Sequence, residues 1–340
     1  MKKLFLAAAA VAMLAGSAGA SEMAQSGKGM TVWFDAGGSV GEPYATTVVN
    51  GAKQAAIDLG VDLKIVYSDW NPEKMLENFK TGLAANPTGF VVMGHPGDDA
   101  YEPLIDEAFA KGMIVTCVDT ALPRLQGKYQ ARGFGYVGTD NWRQGAEMAR
   151  EILRRGGFKQ GDRAFVWGLK RLEGRGRRAR ALLEEFGKAG LTVDYLEISD
   201  EINKDAALGA PVLSGYLASH PDCKVIVVDH GGLTGQLGNF LQAAGVKPGE
   251  IYATGFSLTP ATVGAIEAGY LNLTSEAQPY LMGYLSVLQI VNTAKYKFGG
   301  LNVDTGGGYI SQDNIAAVAP LAELKRGWRT AQNVGQMLRR

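Results

Sequence analysis

Polar and aromatic side chains able to do chemistry recur just after apolar runs along this chain: Glu42 and Tyr44, Asp119 and Thr120, Arg178, Asp229 with His230, Ser257, and Gln278. Any one of them fits a helix cap or a surface position. Together they fall at the carboxyl ends of strand-like runs and at the first turns of the helices that follow, in both halves of the chain, and that is the edge where open α/β sheets bind ligands. The chemistry they offer is recognition. A molecule that carries several hydroxyls around an apolar ring face is satisfied by carboxylate acceptors, a forked arginine donor and an aromatic platform. Signatures of turnover are missing: there is no GxxxxGK[ST], HExxH, CxxC or GxSxG, and His95, His220 and His230 lie far apart. The bare GxG pairs at Gly133 to Gly135 and Gly174 to Gly176 lack a strand-turn-helix setting and read as loop glycines. We therefore expect no enzyme, no catalytic residue, no cofactor and no metal.

A basic run from Lys170 and Arg171 through Arg175, Arg177, Arg178 and Arg180 could mark a phosphorylated ligand. Interspersed Glu173, Glu184 and Glu185 instead suit a solvated helix with i,i+4 pairs, one arginine being turned into the cleft.

The elements that must position these groups follow from the hydrophobic pattern. MTVWFDAG, VDLKIVYSD, TGFVVMG and MIVTCVDT read as strands. They alternate with helices opened by Glu42-Pro43-Tyr44, by Asn71-Pro72 and by Asp98 or Asp99. About a dozen polar residues then lead to GFGYVGTDN, where Asp140 or Asn141 caps the next helix. The pattern repeats through DRAFVWG, LTVDYLEIS, CKVIVVDHG, EIYATGFS and YLNLTSEAQ, with a helix from about Asp205 to Ser219 among the connections. It closes on the long helix PYLMGYLSVLQIVNTAKY. Such alternation with short connections means parallel sheets with right-handed crossovers. The expected fold is α/β: two doubly wound Rossmann-like lobes joined by a three-segment hinge, with crossovers near Thr139, Gln278 and Gly308. The N-terminal lobe takes residues 30–138 plus 279–308, the C-terminal lobe 139–278 plus 309–320, and 321–340 form a tail. Residues 299–308 read as glycine loops.

Met1-Lys2-Lys3, the apolar run LFLAAAAVAML and Ala18-Gly19-Ala20 have the form of a cleavable secretory signal peptide over residues 1–20. Ser17 stands where a lipoprotein would carry its acylated cysteine, so a protein released into a periplasm is expected. Ser21 to Met30 reads as a flexible leader. The remaining length suits two lobes of roughly 150 residues each. Lysine plus arginine equals aspartate plus glutamate at 34 each, which provides no field for nucleic acid or an anionic membrane. Cys117 and Cys223 fall in different halves and are expected to stay free.

With these residues in view, the chain resembles a type I periplasmic solute-binding protein of the ribose and galactose class, serving an ABC importer. The resemblance runs from about Met30 to about Tyr309. It is carried by Glu42-Pro43-Tyr44 with Asn50-Gly51-Ala52, by VDT, VGTDN, HPDCKVIVVDH and GFSLTPAT, and by EAQPYLMGYL. By that resemblance Tyr44 is the stacking aromatic of the first helix and Glu42 its polar neighbour. Asp119 is the strand-end aspartate, with Thr120 where ribose binders carry arginine. Arg178 is the cleft arginine of an R-x-R pair with Arg180. His230, after Asp229, replaces an asparagine, and Ser257 replaces an aspartate after Gly-Phe. The crossover glutamine falls at Ala277 or Gln278. These departures keep the class and argue against ribose and simple pyranoses such as glucose.

The resemblance implies capture of a neutral monosaccharide or sugar alcohol between closing lobes, then docking of a monomer on a permease in the inner membrane. The alternative is a ligand-dependent receptor for a chemotaxis or quorum-signal sensor. Glu42, Asp119 and Asp229 would place three carboxylates against one arginine, which selects a neutral polyol or sugar, an amino sugar next, and not an acid or a phosphate.

Overall fold

Short β-branched and aromatic runs, buried on both faces in the inner strands, give parallel strands, and prolines at the first turns open several of the helices between them. In the computed structural model, which describes residues 25–324, these runs form two six-stranded sheets. The first holds β1 (Thr31–Asp35), β2 (Asp62–Val66), β3 (Gly89–Met93), β4 (Ile114–Val118), β5 (Gly135–Gly138) and β11 (Asn302–Asp304). The second holds β6 (Arg163–Gly168), β7 (Thr192–Glu197), β8 (Cys223–Val228), β9 (Tyr252–Phe256), β10 (Leu273–Glu276) and β12 (Gly308–Ile310). Strand order is β11-β5-β4-β3-β1-β2 in the first and β12-β10-β9-β8-β6-β7 in the second, so the five main strands of each follow one 2-1-3-4-5 winding. All pairings are parallel except β12 against β10. In this winding the order reverses between the first and third strands, and the crevice beyond their carboxyl ends is where ligands sit.

Helices α1 (Pro43–Leu59), α2 (Pro72–Ala85), α3 (Asp98–Ala110) and α4 (Pro123–Tyr129) belong to the first sheet. Beside the second lie α5 (Asn141–Gly156), α6 (Arg177–Lys188), α7 (Asp200–Lys204), α8 (Ala210–Ser219), α9 (Gly231–Ala243) and α10 (Pro260–Glu267). Helix α11 (Pro279–Tyr296) returns to the first sheet, against α1, β4 and β5, and α12 (Ile315–Leu324) ends the described chain beside α10. The approach of α1 and α11 needs glycine on both sides. A Cβ at Gly51 would stand 1.9 Å from the Tyr280 carbonyl oxygen, and one at Gly283 the same distance from that of Val48. The apolar positions Val48, Ala52, Ala55 and Leu59 of α1 are buried as their spacing requires, and Gly60, at φ 72°, ends the helix. Stacked rings such as Phe79 on Phe90, 4.3 Å between centroids, fill the first core; Phe165, Trp167 and Phe240 are buried in the second.

Several local expectations differ from the structure. The polar connection after Asp119 contains α4 and a 3-10 turn over Gln130–Arg132. The single helix expected from Asp205 to Ser219 is a 3-10 turn, Ala206–Gly209, followed by α8. The glycine loops after Tyr296 carry β11 and β12, one for each sheet. Of the expected leader, residues 25–30 form a turn tied under α1, Gly27 N–H donating to the Leu59 carbonyl at 2.7 Å. The expected signal peptide and the last sixteen residues of the expected tail lie outside the described residues. Cys117 and Cys223 are free and buried. Among the described residues no helix is long and apolar enough to cross a membrane.

Candidate functional site

The carboxyl ends of the two sheets face each other across a cavity of about 50 Å³. The first sheet and its loops supply Glu42, Tyr44, Trp70, His95 and Asp119, and the second supplies Leu169, Arg175, Arg178, Asn203, His230, Phe256 and Ser257. Ser275 through Ala277 and Pro279 complete it from the second crossover. Backbone strain gathers here: Trp70 (φ 56°), Asp119 (φ 62°), Ser257 (φ 132°) and the neighbouring Gln278 (φ 56°) all adopt positive φ without being glycine. Each such residue costs on the order of 1–3 kcal/mol, a cost that persists at sites where direction matters more than stability.

Asp119 is the acceptor of the first lobe. Its Oδ1 receives the Tyr44 hydroxyl at 2.5 Å and its Oδ2 the Thr120 hydroxyl at 3.2 Å, while His95 Nε2 stands 3.8 Å from Oδ2. Burial pushes its carboxyl up, but His95, Arg175, the Tyr44 hydroxyl and Arg178 outweigh burial and hold it below the usual carboxylate range. Burial and the arginines push His95 down to about 4 despite Asp119, so at neutral pH its ring is uncharged and the hydroxyl and the arginines sustain the carboxylate. His95 Nδ1 is buried with no partner among the described residues.

The second lobe answers with two arginines. Arg175 Nη1 donates to both Asp229 oxygens at 3.0 Å and Nη2 to the Asp229 carbonyl at 2.7 Å; Arg178 Nε donates to Asp229 Oδ1. Arg178 Nη1 reaches Gln144 Oε1 at 2.8 Å, and its guanidinium lies 4.1 Å over the Phe256 ring. The fully buried Asp229 thus neutralises one of two neighbouring positive charges from behind and orients both forks. His230 caps α9: its Nδ1 accepts from Leu233 N–H at 3.1 Å and its ring also meets the Asn203 backbone. Burial, with Arg175, pushes it down to about 4.

Six of the residues singled out in the sequence line the cavity: Glu42, Tyr44, Asp119, Arg178, His230 and Ser257. Three lie behind the wall. Thr120 is buried and turns its hydroxyl to Asp119; Asp229 sits under the arginines; Gln278 points its amide to the Thr305 carbonyl at 2.6 Å, stitching two crossovers together. Glu42 occupies its carboxylate as the cap of α1, accepting Tyr44 N–H at 3.0 Å and Ala45 N–H at 2.8 Å. Burial pushes its carboxyl above the usual range and these two bonds pull it down, burial prevailing. The second arginine is Arg175; Arg180 turns away to the Lys170 carbonyl at 2.8 Å and to that of Glu173. Trp70, His95, Arg175, Asn203 and Glu276 were not singled out. The rule that strand ends at an order reversal point into the crevice would have found His95, which follows β3.

Comparison with known proteins bears on this arrangement. Residues 36–297 match a family model described as a periplasmic binding protein domain. The chain is 24% identical over 290 residues to the xylose/arabinose-binding protein XylF of Sulfolobus acidocaldarius, covering 80% of this chain and 69% of the relative. It is 26% identical over 248 residues to the ribose import binding protein RbsB of Haemophilus influenzae, covering 72% and 80%. Among solved structures, an ABC transporter solute-binding protein of Burkholderia graminis in complex with D-arabinose superposes with a TM-score of 0.75 at 22% identity, covering 85% of this chain and 98% of that one.

Proposed function

Because the chain belongs to the periplasmic binding protein family, we propose that it captures a neutral monosaccharide or sugar alcohol in the cavity between its lobes, as the substrate-binding component of an ABC importer. In this reading it works in the periplasm and hands its ligand to a membrane permease. The observation that carries the reading is the facing of the Asp119 acceptor on one lobe by the Arg175 and Arg178 forks on the other, across a space walled by Tyr44, Trp70 and Phe256. A ring with hydroxyls on its edge and C–H groups on its faces meets both kinds of wall. Contacts from two lobes favour the closed state without any chemical step.

Neutrality follows from the electrostatics. The two helix N-termini that open on the cavity, those of α1 and α9, would attract an anion, but Glu42 and His230 already cap them. Both arginines are paired with Asp229, the charge of Asp119 acts on both from across the cavity, and Glu276 is spent on the Leu258 N–H at 2.8 Å. An added carboxylate or phosphate would find no uncommitted positive charge in a water-poor site. Relatives named for xylose, arabinose and ribose support a sugar ligand, and the departures at Thr120, His230 and Ser257 set this site apart from that of a ribose binder.

Calorimetric titration with D-arabinose, D-xylose, myo-inositol, an amino sugar, a uronic acid and a sugar phosphate tests this. A neutral member should bind best. At 100 times its dissociation constant it should stabilise the fold by about 2.7 kcal/mol. Preference for the uronate or phosphate, or no binding by any member, would overturn the reading.

A further inference from the structure

Behind Arg178 lies a buried amide that the cavity does not touch. Gln144, in the first turn of α5, is 5% exposed. Its Oε1 accepts from Arg178 Nη1 at 2.8 Å and from the Thr139 hydroxyl at 3.1 Å, and its Nε2 donates to Ser275 Oγ at 3.0 Å. Thr139 belongs to the first crossover and Ser275 lies at the end of β10, leading into the second. The third passes against the same side chain: a Cβ at Gly307 would stand 3.3 Å from Gln144 Cγ and 3.0 Å from Ser275 Oγ. One amide therefore meets all three segments that join the lobes, and the cleft arginine as well.

We infer that Gln144 is a positioning residue that presets the Arg178 fork and couples its orientation to the three crossovers. A guanidinium has no acceptor, so Arg178 dictates which way the amide faces, and the amide nitrogen is left to Ser275. Held by Asp229 at Nε and by Gln144 at Nη1, the planar group has a fixed tilt, and its Nη2 edge is the part left for an occupant of the cavity. Any shift that an occupant imposes on Arg178 moves the amide, and with it Thr139 and Ser275. The third crossover follows, because the Thr305 hydroxyl donates to the Ala277 carbonyl at 2.7 Å and Thr305 N–H to the Gly138 carbonyl at 3.1 Å. Glutamine supplies what the position requires, an acceptor and a donor on one planar group. Leucine supplies neither. Glutamate keeps the acceptor, and the Ser275 hydroxyl can turn to donate to its second oxygen.

The coupling rests on the cavity being the ligand site, and a ligand-free measurement separates the two. Amide hydrogen exchange on the full mature chain, without ligand, should show residues 139–143, 275–278 and 305–307 exchanging at least tenfold faster together in Gln144→Leu, and within threefold of wild type in Gln144→Glu. Thr139→Val removes one tie. It should speed exchange at the second and third crossovers, although its hydroxyl bonds to Gln144, and it serves equally if Gln144→Leu does not fold. Acceleration confined to the site of substitution, or spread uniformly over the second sheet, would overturn the coupling. Titration with D-arabinose and myo-inositol should then give at least a tenfold loss of affinity in Gln144→Leu, recovered to within threefold in Gln144→Glu. Unchanged affinity would overturn the positioning of Arg178. If wild type binds no member of the sugar panel above, the function proposed there fails, while the exchange pattern still decides the coupling.

Discussion

At the scale of single residues, the site is a set of charges whose protein partners come first. Asp229 is fully buried between Arg175 and Arg178, so Asp229→Ala leaves two buried guanidinium groups without the carboxylate they both bond. Removing one partner of a buried pair costs roughly 3–5 kcal/mol. The urea midpoint of the second lobe should fall accordingly, and affinity should fall with it as the forks lose their orientation. The two cavity histidines predict a pH dependence. Both have folded values of about 4 against an ordinary 6.5, so between these limits the unfolded chain binds protons that the folded chain refuses. Stability is therefore full above about pH 6.5 and declines as pH falls towards 4, by roughly a few kcal/mol for the pair. Asp35 and Glu42, raised chiefly by burial, act in the opposite sense over the carboxylate range. The test is thus a difference: His230→Gln should flatten the slope of unfolding free energy between pH 6.5 and 4.5 relative to wild type, and an unchanged slope would refute the assignment.

At the scale of elements, the packing of α1 on α11 sets what each helix tolerates. Gly51→Ala places a methyl 1.9 Å from a backbone oxygen of the facing helix, so the helices must separate. Overpacking of this kind costs typically 1–3 kcal/mol. The first lobe should lose that much in urea unfolding, and a wild-type midpoint would show that the helices are farther apart. The periodicity of α1 and the apolar runs of the ten longer strands make the architecture legible in the sequence. What escaped was short or glycine-bound: α4 has seven residues with no apolar repeat, and β11 and β12 have three each. Such segments become strands only because a sheet edge is there to receive them. The site was legible to the same degree. Asp119, Tyr44 and Arg178 reach the cavity, but strand-end neighbours point to opposite sides, which sends Thr120 and Asp229 behind the wall. Trp70 and Arg175 lie in loops, where no period marks direction, and their side chains are turned inward by tertiary contacts alone.

At the scale of the whole molecule, closure depends on how near the lobes can come. Beside the hinge, in a groove it shares with Gly138 and Thr139, the backbone at Gly174 lies against Thr120, and a Cβ there would meet the Thr120 methyl at 2.6 Å. Gly174→Ala should therefore leave the unfolding of the ligand-free protein unchanged while weakening binding about tenfold, roughly 1.4 kcal/mol, through a closed state that no longer seats. Calorimetry beside a urea titration separates the two effects, and equal affinity would mean that the lobes have slack at this point.

The late placement of α11, β11 and β12 bears on how the chain becomes a protein. The first sheet is begun by residue 31, yet its edge strand is residues 302–304 and the helix against α1 is residues 279–296. The second sheet waits for residues 308–310. Neither half can finish before nearly the whole chain has emerged, and the half made first must hold its apolar surfaces open while the other is being made. Contacts over such sequence separations fold slowly. Until residues 279–304 are made, the first sheet has neither its covering helix nor its edge strand, and a chain so incomplete can still be drawn out.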